Sequence, residues 1–97
     1  MEKNMFINKS SDGKNNICGE SIARFRKEAK LSQRQLADKL QLVGLDLDKN
    51  AIQRIEAGKR FVTDIELVAL SKVLNKSLNE ILNISKTPFI LRWDKRR

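Results

Sequence analysis

From Ile17 onward, apolar residues recur at helical spacing. Ile22, Phe25 and Ala29 fall at i, i+3 and i+7, leaving Arg24, Lys27 and Glu28 to water, which predicts a first helix ending near Lys30. Ser32-Gln33-Arg34-Gln35 has the form of a capping box, in which the serine hydroxyl accepts from an early backbone N–H and the glutamine reaches back. A second helix follows, with Leu36, Ala37 and Leu40 as its apolar stripe, and should end between Leu40 and Leu42. Gly44 marks the break. Asp48 suits the N-cap of a third helix, Ile52 and Ile55 are its buried pair, and Gly58 suits the left-handed position that ends it.

The same grammar repeats twice more. Thr63-Asp64-Ile65-Glu66 is a capping box ahead of Ile65, Val68, Ala69 and Val73, predicting a fourth helix to about Leu74. Ser77-Leu78-Asn79-Glu80 precedes Ile81, Leu82 and Ile84 and predicts a short fifth. The fold class expected is therefore all-α, with five helices in one domain over residues 18–84. Residues 1–17, rich in Asn, Lys, Ser and Gly, are read as a flexible N-terminal arm. Residues 85–97 are read as a basic C-terminal tail: Pro88 stops helical continuation, and Phe89, Leu91 and Trp93 would share one face of an extended strand.

Charge changes the picture. The chain has 97 residues, with 20 Lys and Arg against 12 Asp and Glu, a formal net charge of +8. Such a field attracts phosphate backbones or anionic surfaces. In a small basic protein, a helix, a connection and a second helix between Leu31 and Arg60 are the layout of a helix-turn-helix DNA reader.

What is missing narrows the chemistry. With no His and a single Cys, neither a Ser-His-Asp nor a Cys-His arrangement can be assembled, and a structural zinc site lacks its ligands. No Gly-rich phosphate loop or paired-carboxylate site stands out, so no enzyme, cofactor or metal is expected. Cys18 alone cannot form an internal disulfide, and the longest apolar run, Leu67-Val68-Ala69-Leu70, is far below the ~20 residues that cross a bilayer. A cytoplasmic protein that does not engage membrane is the simplest expectation. Five aromatic residues, Phe6, Phe25, Phe61, Phe89 and Trp93, offer no stacking platform for RNA.

Three stretches carry a resemblance to a known family: Ile22 to Arg26, Leu31 to Leu40, and Ile52-Gln53-Arg54-Ile55-Glu56-Ala57-Gly58-Lys59-Arg60. Together with Thr63 to Leu82, they resemble the phage-repressor and Cro-like, or Xre, family of five-helix lambda-repressor-like DNA-binding domains. The resemblance implies double-stranded DNA as partner and a role for each matching position. Ser32 and Gln33 look like the residues that clamp a phosphate and brace the recognition helix, although Ser32 can equally serve only as a cap. Lys49, Asn50, Gln53 and Arg54 fall where that helix presents side chains to base edges. Their chemistry suits it, since Arg and Lys donate to guanine O6 and N7 and Asn and Gln pair with adenine N6 and N7. Lys59 and Arg60 match a loop along the DNA backbone. Arg26 and Glu56 match a structural ion pair linking the first helix to the end of the recognition helix.

One segment departs from the pattern. The path from Leu40 to Ile52 is about five residues longer than the tight turn of the common form. Leu42, Leu45 and Leu47 are candidates to anchor it on the core, and Asp46 brings negative charge to the expected DNA face. The functional expectation is a transcriptional repressor binding a palindromic operator as a homodimer. Leu78, Ile81 and Leu82, or the tail with Phe89, Leu91 and Trp93, are the candidate dimer surfaces. The alternative is an antitoxin-type interaction protein that regulates its own operon and occludes a partner protein with that tail.

Overall fold

Residues 13–83 are described in a computed structural model of the chain, and among them the ordered elements are five α-helices. They are α1 (Gly19–Glu28), α2 (Gln33–Leu42), α3 (Lys49–Glu56), α4 (Asp64–Leu74) and α5 (Leu78–Leu82). The all-α expectation holds. All three capping boxes form reciprocally: Ser32 with Gln35, Thr63 with Glu66, and Ser77 with Glu80 each exchange two hydrogen bonds of 2.8–3.2 Å. The Asp48 carboxylate caps α3 by accepting from the Ala51 N–H at 2.8 Å. These pairings satisfy amide groups that a helix start otherwise leaves orphaned.

Helix ends are equally definite. At the end of α3, the Gly58 N–H donates to the Ile55 carbonyl and the Lys59 N–H to that of Arg54, the two bonds of a Schellman motif. Gly58 has the positive φ, +77°, that this motif requires. Lys30 takes the same conformation after α1, with φ 61°. The chain turns there, so Ala29, expected in the core, is exposed.

The core gathers Ile22 and Phe25 of α1, Leu36, Ala37 and Leu40 of α2, Ile52 and Ile55 of α3, Leu70 and Leu74 of α4 and Ile81 of α5. Cys18 is buried beside them, and burial pushes its thiol up to about 11 against the lowering effect of a backbone hydrogen bond, with the Glu66 charge adding to the rise. Such a thiol stays protonated and packs as a small apolar group. The Phe25 ring carries the Arg24 guanidinium at 4.7 Å from its centroid and the Lys76 ammonium at 4.8 Å.

Three expectations about packing need correction. On α4, Glu66, Leu70 and Leu74 face inward, while Ile65 is 72% and Val68 44% exposed. Leu42 belongs to α2 and is exposed, because two residues beyond the buried Leu40 the helix has rotated by roughly 200°. Ile81 is fully buried, so it cannot meet a second copy, whereas Leu78 on the same helix is exposed. Ile84, the apolar tail residues and positions 1–12 lie outside the described residues.

Candidate nucleic-acid interface

Helix α3 is amphipathic in the sense needed for a reading head. Ile52 and Ile55 are fully buried, and Lys49, Asn50, Gln53 and Arg54 project from the opposite side, all exposed. Residues at i, i+1, i+4 and i+5 form one contiguous stripe. The structure thus brings the four expected base-contacting positions together.

The back of α3 is braced at Glu56. Its carboxylate accepts from Arg26 Nε at 2.6 Å and Arg26 Nη2 at 3.0 Å, a bidentate pair whose side chains are only 10% and 8% exposed. Gln33 Nε2 donates to the same carboxylate at 3.0 Å, and Arg26 Nη1 donates to the Leu31 carbonyl at 2.8 Å. The Glu56 hydrogen bond holds the Arg26 guanidinium above its ordinary pKa, despite burial, with the Glu56 charge adding to the effect. Gln33, at the start of α2, therefore reaches the end of α3. The Ser32 hydroxyl is engaged in the cap, and Ser32 itself is exposed.

The loop after α3 divides the two residues expected at phosphate. Lys59 is exposed. Arg60 turns its guanidinium onto Glu66, with Nη1 to Oε1 at 2.9 Å and Nη2 to Oε2 at 3.1 Å, and Nη1 also donates to the Phe61 carbonyl. Burial works to raise the Glu66 carboxyl, but the hydrogen bonds and charge of Arg60 and the bonds from Thr63 outweigh it and hold the carboxyl below the usual range. One glutamate thus completes a capping box and anchors the loop.

The long connection between α2 and α3 is ordered from its first residue. Gly44 and Leu45 donate to the Gln41 and Leu40 carbonyls, closing α2 as Lys59 and Gly58 close α3. Leu45 packs against the core and Leu47 is buried inside it, whereas Asp46 is exposed.

Sequence reasoning missed the segment before α1. Asn15 and Asn16, assigned to the arm, are tied to the end of α3: the Asn15 N–H donates to the Gly58 carbonyl at 2.8 Å and Asn15 Nδ2 to that of Lys59 at 3.0 Å. Asn16 Nδ2 donates to the carbonyls of Ile55 at 3.1 Å and Arg60 at 2.7 Å, while its Oδ1 accepts from the Gly19 N–H at 2.9 Å. Gly19 lies so close to α3 that an added Cβ would overlap the Ile55 carbonyl and sit 3.0 Å from that of Glu56. The signal available was an Asn pair and a glycine ahead of a helix, which alone names no partner.

Among the described residues no helix is long and apolar enough to cross a membrane, and no group of His, Cys, Asp and Glu could hold a metal ion. No curated protein matches the chain. The restriction-modification controller protein C.AhdI from Aeromonas hydrophila, known from a crystal structure, is similar in fold, with a TM-score of 0.57 and 25% sequence identity over 65% of this chain and 84% of that one. The profile of the helix-turn-helix family matches residues 22–81, from the middle of α1 to α5. With α2, its connection and the exposed stripe of α3 following in that order, the chain belongs to the Xre/Cro-like helix-turn-helix family of DNA-binding transcription regulators.

Proposed function

We propose that this regulator is a repressor that binds a palindromic operator as a homodimer, with α3 in the major groove. The observation that carries this reading is the exposed stripe of Lys49, Asn50, Gln53 and Arg54 on a helix whose other faces are fully engaged. In the proposal these four meet base edges, whereas Lys59, Gln33 and the first amides of α2 near Ser32 meet phosphate. Arg60 serves the same contact from behind, by anchoring the loop to Glu66.

A single module of this size buries too little surface for tight specific binding, and two on one palindrome roughly add their binding free energies. Leu78 on α5 and Ile65 and Val68 on α4 are exposed apolar surface that a second copy would cover, which supports a homodimer. The binding unit proposed is residues 18–84 led in by Asn15 and Asn16, with 85–97 as a candidate dimerisation segment. The likeness to a restriction-modification controller protein supports a role in controlling transcription.

Selection of bound duplexes from a random pool, followed by a salt titration of the winner, tests this. An inverted repeat should emerge, with affinity falling steeply as salt rises. A flat salt response would sink the DNA reading, and recovery of a single unrepeated half-site would sink the dimer.

A further inference from the structure

Three successive carbonyls after α3, those of Gly58, Lys59 and Arg60, all accept hydrogen bonds from just two residues, Asn15 and Asn16. We infer that Asn15 and Asn16 are positioning residues for DNA binding, setting the polarity of the loop that carries Lys59 to phosphate; this rests on the DNA reading above. A carbonyl oxygen aimed at a phosphate repels it, so a loop along a nucleic-acid backbone must turn its acceptors elsewhere. Here each acceptor is drawn toward the segment before α1, which leaves the Lys59 side chain on the exposed side.

Asparagine is chemically required at position 16. The amide must donate to two carbonyls, Ile55 and Arg60, while its oxygen accepts from the Gly19 N–H. Aspartate has the same shape but no donor, and would place a charge against two carbonyl oxygens. Lys14 seals the arrangement: its side chain lies over Gly58, where a Cβ would come within 2.8 Å of Lys14 Cδ. The recognition helix is thereby gripped at its C-terminal end by residues outside the family match, which begins at residue 22.

Asn15→Ala is the informative variant, because it removes the bond to Lys59 and keeps the backbone bond to Gly58. Its affinity for a mixed-sequence duplex of about two helical turns should fall about fivefold, through the weakening of the one phosphate contact made by Lys59. The slope of log affinity against log salt should become shallower by about one phosphate contact, while the ranking of duplex sequences stays as in the wild type and the melting temperature falls by no more than the roughly 8 °C that one hydrogen bond is worth in a domain this small. Combined with Lys59→Ala, the losses should not add, since both act on one contact. Asn16→Asp should show the larger loss; if it fails to fold, the Asn15 and Lys59 pair alone decides. Additive losses, or an unchanged salt slope in folded Asn15→Ala, would overturn the inference. Absence of salt-dependent binding by the wild type would instead overturn the DNA reading itself, so the two failures are distinguishable.

Discussion

Glu56 accepts three side-chain hydrogen bonds from two helices, and little about it is solvent-screened. Removing Arg26 would strand that carboxylate in a nearly closed site with only the Gln33 amide facing it. The loss for one partner of a buried pair is ~3–5 kcal/mol. Arg26→Ala should therefore lower the melting temperature by at least roughly 12 °C, given the entropy of unfolding of a domain this small. An unchanged melting curve would refute the brace. The role of this pair was legible from the family resemblance, since both residues sit inside matched stretches. The Arg60 and Glu66 pair was not: Glu66 announced itself only as a capping residue, and nothing in the local pattern says that a cap glutamate also holds an arginine six residues upstream.

At the scale of elements, the starts of α2 to α5 were legible because capping is local chemistry, decided within four residues. The inward face of α4 was not. That helix is apolar nearly all round, with Ile65, Leu67, Val68, Ala69, Leu70, Val73 and Leu74, so periodicity singles out no side, and the inward face carries a glutamate that Arg60 neutralises. Contacts between elements were out of reach for a related reason: Asn16 meets partners 39 and 44 residues away. The approach of α1 to α3 yields a prediction whose sign is informative. Gly→Ala within a helix ordinarily stabilises by up to about 1 kcal/mol, yet Gly19→Ala should destabilise by about 1–3 kcal/mol, since its methyl would meet the Ile55 and Glu56 carbonyls. Chemical denaturation measures the difference, and a stability gain would disprove the close approach.

For the molecule as a whole, acid should be a sensitive axis. Glu66 is held below the ordinary value of 4.5, and Glu80 is lowered too, first by the Ser77 backbone amide and then by the Ser77 hydroxyl. A carboxyl with a depressed folded value stabilises fully above its unfolded value, and that contribution disappears as pH falls through the folded one. Stability measured by urea unfolding should thus be level near neutrality and decline below pH 4.5. Glu66→Gln should start lower and decline less, because its side chain has no charge to lose; parallel acid limbs for the two proteins would show that Glu66 does not govern the transition. The net charge of +8 adds self-repulsion as the remaining carboxylates protonate, in the same direction.

The grip on α3 has a further consequence. Everything that holds this helix, from Glu56 and the two isoleucines to the Schellman turn and the asparagines beneath it, lies off the stripe of Lys49, Asn50, Gln53 and Arg54. If the stripe reads bases as proposed, folding free energy and target choice are stored in different residues. Under the proposed DNA reading, substitutions along the stripe would change the sequence preferred without passing through unstable intermediates, and the surface proposed to meet base edges is the part of the domain most free to diverge.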